Sequence, residues 1–308
     1  MNVSTRERVV RFGPADGLAG IVTTPKSPPP GSESLPHLVI VNAGIIHRVG
    51  PDRLYVDLAR SMAKIGYPVL RFDLAGLGDS DAMRGGLSLE ASADEDIGAA
   101  FDFLTATRGA TRFVLIGLCS GANYSTLATF ADPRVVGALL IDPSVSRTRR
   151  SMAVHIARRI RNFSTIRALL TLRHPVYHRG FDGLRSVAVA EAAAGQSGQR
   201  TDSEPGRAVS QVSAVTLMNT IIGRGVQLMM VFTGGVNHVY NYERQLFDLL
   251  PGVDFKDQLR LLYMPYTDHT VSDTASRSQL LEASTAWLRD VFPITPVAES
   301  SPTTGVGA

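Results

Sequence analysis

The chain has 308 residues, 44% of them hydrophobic and 19% charged, which suits one sizeable globular core and excludes a disordered or low-complexity protein. Net charge is only +3, and no run interleaves basic residues with stacking aromatics, so nothing marks a nucleic-acid-binding surface. A single cysteine excludes an internal disulfide and a cysteine-based metal site.

In chain order, the opening MNVSTRERVVRFGPADG lacks the apolar core of a signal peptide, and no stretch reaches the roughly 18 apolar residues of a membrane span. The expectation is a soluble, cytoplasmic protein with no membrane partner. Residues 7–12 and 18–23 predict two short strands, and KSPPPGSESLP (26–36) a proline- and serine-rich loop. HLVIVNAG (37–44) reads as a buried strand: a short run rich in Val and Ile, ended by glycine. GPDRLYVDLARSMAKIG (50–66) places Leu54, Val56, Leu58, Ala59 and Met62 on one helical stripe between an opening proline and a closing glycine. YPVLRFDL (67–74) predicts a second buried strand, followed by the turn-rich AGLGDSDAMRGG. A helix opening on Ser88 covers 88–109. Buried strands at 112–119 and 135–145 flank a helix at 120–131. Residues 146–224 carry no clear apolar strand and end in a helix at 209–222. The alternation resumes with strands at 226–235 and 258–266, a helix near 239–250 and a final helix at 275–291. The tail after Phe292 has the composition of a disordered segment, and no internal repeat is visible.

Strands alternating with helices imply a mostly parallel sheet covered on both faces. The chain therefore divides into a first core part (1–145), an insert (146–224), a second core part (225–292) and a disordered tail (293–308). An insert after a strand's C-terminal end lies over the edge where open α/β sheets bind ligands, which makes it a candidate helical cap or lid.

GLCSG (117–121) joins a buried strand to a helix. Hydrolases carry a nucleophilic serine in such a turn, as G-x-S-x-G. Here the middle residue is Cys119, and the helix N-terminus behind it favours a thiolate. The plainer reading of Cys119 is a small buried hydrophobe at a strand end. Ser120 is a competing hydroxyl, one residue late in the motif.

Four segments together resemble the α/β-hydrolase superfamily over nearly the whole core. They are GLCSG; NAGIIHRVGP after the first buried strand, where relatives place the oxyanion-hole turn; RFDLAGLGDSD (71–81) after the next strand; and DHT (268–270) after the last strand, where the family places its histidine. The resemblance implies an α/β-hydrolase fold, with a mostly parallel central sheet, helices on both faces and a helical cap insert. It implies Cys119 as nucleophile, His269 as general base and acid, and the backbone N–H groups of Ile45 and Ser120 as oxyanion donors. The third member departs from the pattern. An acid is expected just after QLMMVFTGG, and the register puts Asn237 there. The alternative orienting acid is Asp142 in LLIDPS, which also reads as an Asp-Pro turn. Asp73 and Asp79 read as structural groups of the DLAGLGDSD turn.

Ile46, His47 and His238 are candidates to line the cleft, the two histidines reading equally as solvated or structural groups. In the insert, Arg149, Arg150 and Arg158 stand at helical spacing. They read as a solvated helix face, as a clamp for an anionic substrate, or as a dock for an acidic carrier protein. The function implied is cleavage of an ester or thioester by a Cys-His mechanism, ending in hydrolysis or acyl transfer and set in bacterial secondary metabolism. Alternatives are a lyase that eliminates a carboxylate such as acetate from an acylated intermediate, and a non-catalytic small-molecule receptor. No cofactor and no metal is called for. The implied partner is a small acylated substrate, free or on a carrier protein; a homodimer is compatible.

Overall fold

The computed structural model describes residues 4–83, 87–161 and 213–294. Its strands are β1 (Thr5–Phe12), β2 (Leu18–Pro25), β3 (His37–Val41), β4 (Val69–Phe72), β5 (Phe113–Leu118), β6 (Val135–Ile141), β7 (Gln227–Thr233) and β8 (Leu259–Met264). Its helices are α1 (Leu54–Lys64), α2 (Leu89–Arg108), α3 (Ser120–Ala131), α4 (Arg149–Arg161), α5 (Ala214–Gly223), α6 (Gln245–Leu249) and α7 (Thr274–Val291). The strands form one 8-stranded sheet in the order β1-β2-β4-β3-β5-β6-β7-β8. β1 and β2 are an antiparallel hairpin, β2 joins β4 antiparallel, and every pairing from β4 to β8 is parallel.

The parallel strands are the continuous apolar runs of the sequence because helices cover both of their faces. β5 (FVLIGL) is buried at every position. α1 and α7 cover one face, where Leu54, Leu58, Met62, Leu280, Trp287 and Leu288 pack on Ile40, Ile116 and Val231. On the other face Ile97, Phe101 and Leu104 of α2 pack on Val39, Leu70 and Leu115, and Leu217, Met218, Ile221 and Ile222 of α5 pack on Leu140, Leu228 and Met230. Ser88 caps α2 by accepting from the Ala91 N–H at 3.2 Å, and Gly109 ends the helix at φ 66.

Several expected elements come out shorter, and three of them show why. The strand expected over 135–145 stops at Ile141, because Asp142 turns the chain at φ 47. The strand expected over 258–266 stops at Met264, whose carbonyl accepts the Thr267 N–H in a turn. The helix expected near 239–250 is confined to 245–249; ahead of it Tyr240 is buried flat on Phe232, with ring centroids 3.7 Å apart. Of the proposed cap, residues 162–212 lie outside the described residues, as do 295–308 of the tail. The described end of that insert, α5, packs in the core layer beside α3 rather than above the sheet. Among the described residues no helix is long and apolar enough to cross a membrane.

Candidate active site

Cys119 stands between the C-terminal end of β5 and the first turn of α3, at φ 56 and ψ −119. A non-glycine residue rarely adopts positive φ, and here the surrounding contacts over-determine it. The Cys119 N–H donates to the Ile141 carbonyl at 2.9 Å, and the Cys119 carbonyl accepts from the Ala122 and Asn123 N–H groups at 3.0 and 3.2 Å. The flanking glycines answer to close approach. A Cβ at Gly117 would lie 2.2 Å from the Gly121 carbonyl oxygen, and one at Gly121 would lie 2.4 Å from that of Asn42. The turn thus lifts a half-exposed thiol above the sheet edge.

Asp142, at the end of the neighbouring strand β6, is 3% exposed. Its Oδ1 accepts the Thr233 N–H at 2.7 Å, and its Oδ2 accepts the Thr233 hydroxyl at 2.6 Å. The same Oδ2 lies 2.7 Å from Nδ1 of His269. The histidine loop rests directly on the end of β7: a Cβ at Gly235 would be 2.3 Å from the His269 nitrogen. Asp268 secures that loop by accepting from Thr270 and from Ser272, backbone and hydroxyl alike, and the Thr270 hydroxyl bond leads in holding its carboxyl well below the usual range. The bond to Asp142 raises the His269 pKa to about 9; partial burial opposes the rise, and a hydrogen bond with the Cys119 side chain adds to it. Asp142 therefore holds Nδ1 of His269, and the Cys119 side chain acts on the same ring.

That arrangement corrects the first-choice register for the third member. Asn237 accepts from the Tyr263 hydroxyl at 3.3 Å, and its amide points at the Pro265 carbonyl at 3.5 Å. The turn Gly234–Val236, capped by Thr233, directs Asn237 toward the end of β8, while His269 meets the acid from β6.

The loop after β3 forms the facing wall. The Ile46 N–H closes a turn onto the Ala43 carbonyl at 2.9 Å, and the Asn42 amide donates to the Ile46 carbonyl at 2.8 Å. Among the described residues no acceptor takes the N–H of Ile45 or of Ser120, so both expected oxyanion donors are unspent. The Gly44 N–H donates to the Ser120 hydroxyl oxygen at 2.7 Å, tying this loop to the elbow. Sequence reasoning missed Arg48, which fastens the loop from behind. Its N–H donates to Asp73 Oδ1 at 2.5 Å, and its guanidinium bridges Asp73 and Asp79. Asp73 and Asp79 hold their turn as expected, with the Asp79 N–H on Asp73 Oδ2 at 3.0 Å.

His47 and His238 are exposed, and no hydrogen bond involves either ring among the described residues. Ile46 is half-buried at the base of its loop, and Arg149 is exposed. The Arg150 guanidinium is committed elsewhere: it lies 4.7 Å over the Tyr242 ring and 4.0 Å from Asp248. Arg158 belongs to α4, but its side chain is outside the described residues.

A cavity of about 380 Å³ opens beside the site, lined by Leu127, Leu140, Leu217, Met230, Phe232 and Leu250 among others. Asn123 and Ser144 stand on its lining and clasp each other through two hydrogen bonds of 2.8 and 2.9 Å. Asn123 is one helical turn beyond Cys119, and Ser144 is two residues beyond Asp142. Another hollow, of about 420 Å³, is lined by Arg112, Val135 and Gln227, at the N-terminal ends of β5, β6 and β7. It opens on the opposite edge of the sheet from Cys119.

Comparison with known proteins agrees with this fold. The model of the family described as serine aminopeptidase, S33, matches residues 37–184, just under half of the chain. No curated protein matches the sequence. Among solved structures, an esterase from Pyrococcus furiosus is 13% identical with a TM-score of 0.58, over 93% of this chain and 91% of its own. The esterase Est1E from Butyrivibrio proteoclasticus, solved with ferulic acid bound, is 15% identical with a TM-score of 0.57, over 91% and 98%. A serine hydrolase without lid from Xanthomonas campestris is 15% identical with a TM-score of 0.54, over 95% and 97%. The strand order, the elbow and these likenesses establish that the chain has the α/β-hydrolase fold.

Proposed function

We propose that the chain is an acyl-cleaving enzyme in which Cys119 attacks the carbonyl carbon of an ester or thioester. The observation that carries this reading is His269 held by Asp142 on Nδ1, with Cys119 on the elbow near enough to act on the same ring. The thiolate is the attacking form of a cysteine, and a cationic His269 beside it supplies the counter-charge. Attack forms the carbon–sulfur bond and moves the carbonyl electron pair onto oxygen, where the unspent N–H groups of Ile45 and Ser120 meet it. When that pair returns, the bond to the leaving alcohol or thiol breaks, and His269 gives its proton to the leaving group. A second nucleophile then adds to the acyl carbon while the now neutral His269 takes its proton, and the carbon–sulfur bond breaks to restore the thiolate: the nucleophile is water in hydrolysis, or an alcohol, amine or thiol in transfer. The apolar cavity beside Asn123 and Ser144 suits an aliphatic or aromatic portion of the substrate.

The test is early acid quenching with p-nitrophenyl acetate and p-nitrophenyl hexanoate, followed by intact mass and peptide mapping. The expected result is a mass increase of one acyl group on Cys119, absent in Cys119→Ala and reduced in Cys119→Ser. An acyl group mapped to another residue, or p-nitrophenol release unaffected by Cys119→Ala, would overturn the reading.

A further inference from the structure

The Ser120 hydroxyl has a use beyond that of its backbone N–H. It is the first residue of α3, directly after Cys119, and its oxygen is already held, accepting from the Gly44 N–H at 2.7 Å. A serine hydroxyl accepts and donates. With the accepting side engaged, its proton is left over, and among the described residues no acceptor takes it. The residue is half-exposed, in the space between the elbow and the loop after β3. That space is where the carbonyl oxygen of a substrate bonded to Cys119 must lie, since the Ser120 N–H borders it on one side and the Ala43–Ile46 turn on the other.

We propose that the Ser120 hydroxyl is itself a catalytic hydrogen-bond donor to the oxyanion, polarised by the Gly44 N–H behind it. The inference rests on the acyl-cleaving reading and adds to it a side-chain donor at the position after the nucleophile. No proton leaves Ser120 in the step. As the carbon–sulfur bond forms and negative charge gathers on the substrate oxygen, the Ser120 O–H shortens its hydrogen bond to that oxygen, and the Gly44 N–H strengthens the donor by the cooperativity of linked hydrogen bonds. When the leaving group departs, the charge returns to the carbonyl and Ser120 is unchanged. Gly44 sits at φ 54 with nothing within 4 Å of where a Cβ would be, so the glycine serves this turn's backbone direction rather than its packing.

The experiment compares two reactions at the same sulfur. Acylation of Cys119 by p-nitrophenyl acetate passes through an oxyanion; alkylation by iodoacetamide does not. Ser120→Ala is expected to slow acylation by about 10²-fold, the scale of one lost oxyanion donor, and to leave the alkylation rate where it was. Ser120→Thr, which keeps the hydroxyl, is expected to restore most of the acylation rate. Acylation of Ser120→Ala at the original rate would overturn the proposal. So would faster acylation, which would show that the hydroxyl occupies the substrate oxygen's place rather than serving it. An equal loss in both reactions would show that Ser120 only holds the elbow in shape, and would also overturn it. If the unsubstituted protein is alkylated at Cys119 but never acylated there, the acyl-cleaving reading itself fails, and this inference with it.

Discussion

At the residue scale, one buried carboxylate joins two strands and a loop. Asp142 receives both polar groups of Thr233 and the Nδ1 of His269, a partner 127 residues away. Replacing it with Asn puts an amide donor where an acceptor is required, and the histidine must take the other tautomer or lose its support. Asp142→Asn should lower the rate of Cys119 acylation by up to about 10⁴-fold. It should also bring the His269 pKa from about 9 back toward its ordinary 6.5, visible in the imidazole NMR titration. Asn237→Ala should leave both measurements near those of the unsubstituted protein, since Asn237 faces Tyr263 and Pro265. A normal titration in Asp142→Asn together with a collapsed rate in Asn237→Ala would return the orienting role to Asn237. The sequence offered Asp142 only as the alternative orienting acid, because it reads equally as an Asp-Pro turn. Its part became visible with the positive φ of 47, which aims the carboxylate along the end of β7, and no linear pattern encodes that direction. Cys119 and His269 were legible because each belongs to a short motif with a definite place relative to a strand.

At the element scale, the loop after β3 is held at three points: by the Asn42 amide, by Ser120 and by Arg48. The motif GLGDSD was legible as a turn because it is dense in glycine and aspartate, but its cation was not. HRVG in isolation resembles a solvated basic loop, whereas the Arg48 side chain is only 16% exposed and Asp73 is fully buried. Removing one partner of such a pair leaves the other charge buried, at a cost of about 3–5 kcal/mol; removing both costs less. Arg48→Met should therefore lower the urea unfolding midpoint strongly, and Arg48→Met/Asp73→Asn should recover part of the loss. A double variant as unstable as the sum of the single ones would mean that the two side chains do not act as a pair. The helix expected near 239–250 was overestimated for a related reason. Its apolar residue Tyr240 answers to Phe232 and the core rather than to a helical stripe, and the Asn241 amide is drawn to the Ser151 carbonyl at 2.8 Å.

At the scale of the whole molecule, the sheet was legible because buried parallel strands must be continuous apolar runs and their crossovers must be helices. The order of the strands was not written in those runs; the antiparallel joining of β2 to β4 emerges only from pairing. Two histidines should give this fold a stability maximum near pH 6.5. Burial, aided by the charge of Arg108, lowers the pKa of His37 from 6.5 to about 4. Between those values the unfolded chain binds the proton and the folded chain does not, so stability falls as pH drops through that window. His269 runs the other way. Its pKa rises from 6.5 to about 9, led by the bond to Asp142, so its contribution is whole below 6.5 and is lost as pH climbs toward 9. Below about pH 4 a further loss follows, because Glu7, bonded to Arg60, and Asp79, bonded to Arg48, have carboxyl pKa values below the ordinary range and must be protonated there. Urea midpoints measured from pH 4.5 to 9 should therefore trace a dome. His269→Gln, which keeps a donor for Asp142, should flatten the alkaline side and leave the acid side in place; His37→Gln should flatten the acid side alone. An alkaline slope that survives in His269→Gln would show that the decline above pH 6.5 comes from a group other than the one that joins Cys119 to Asp142.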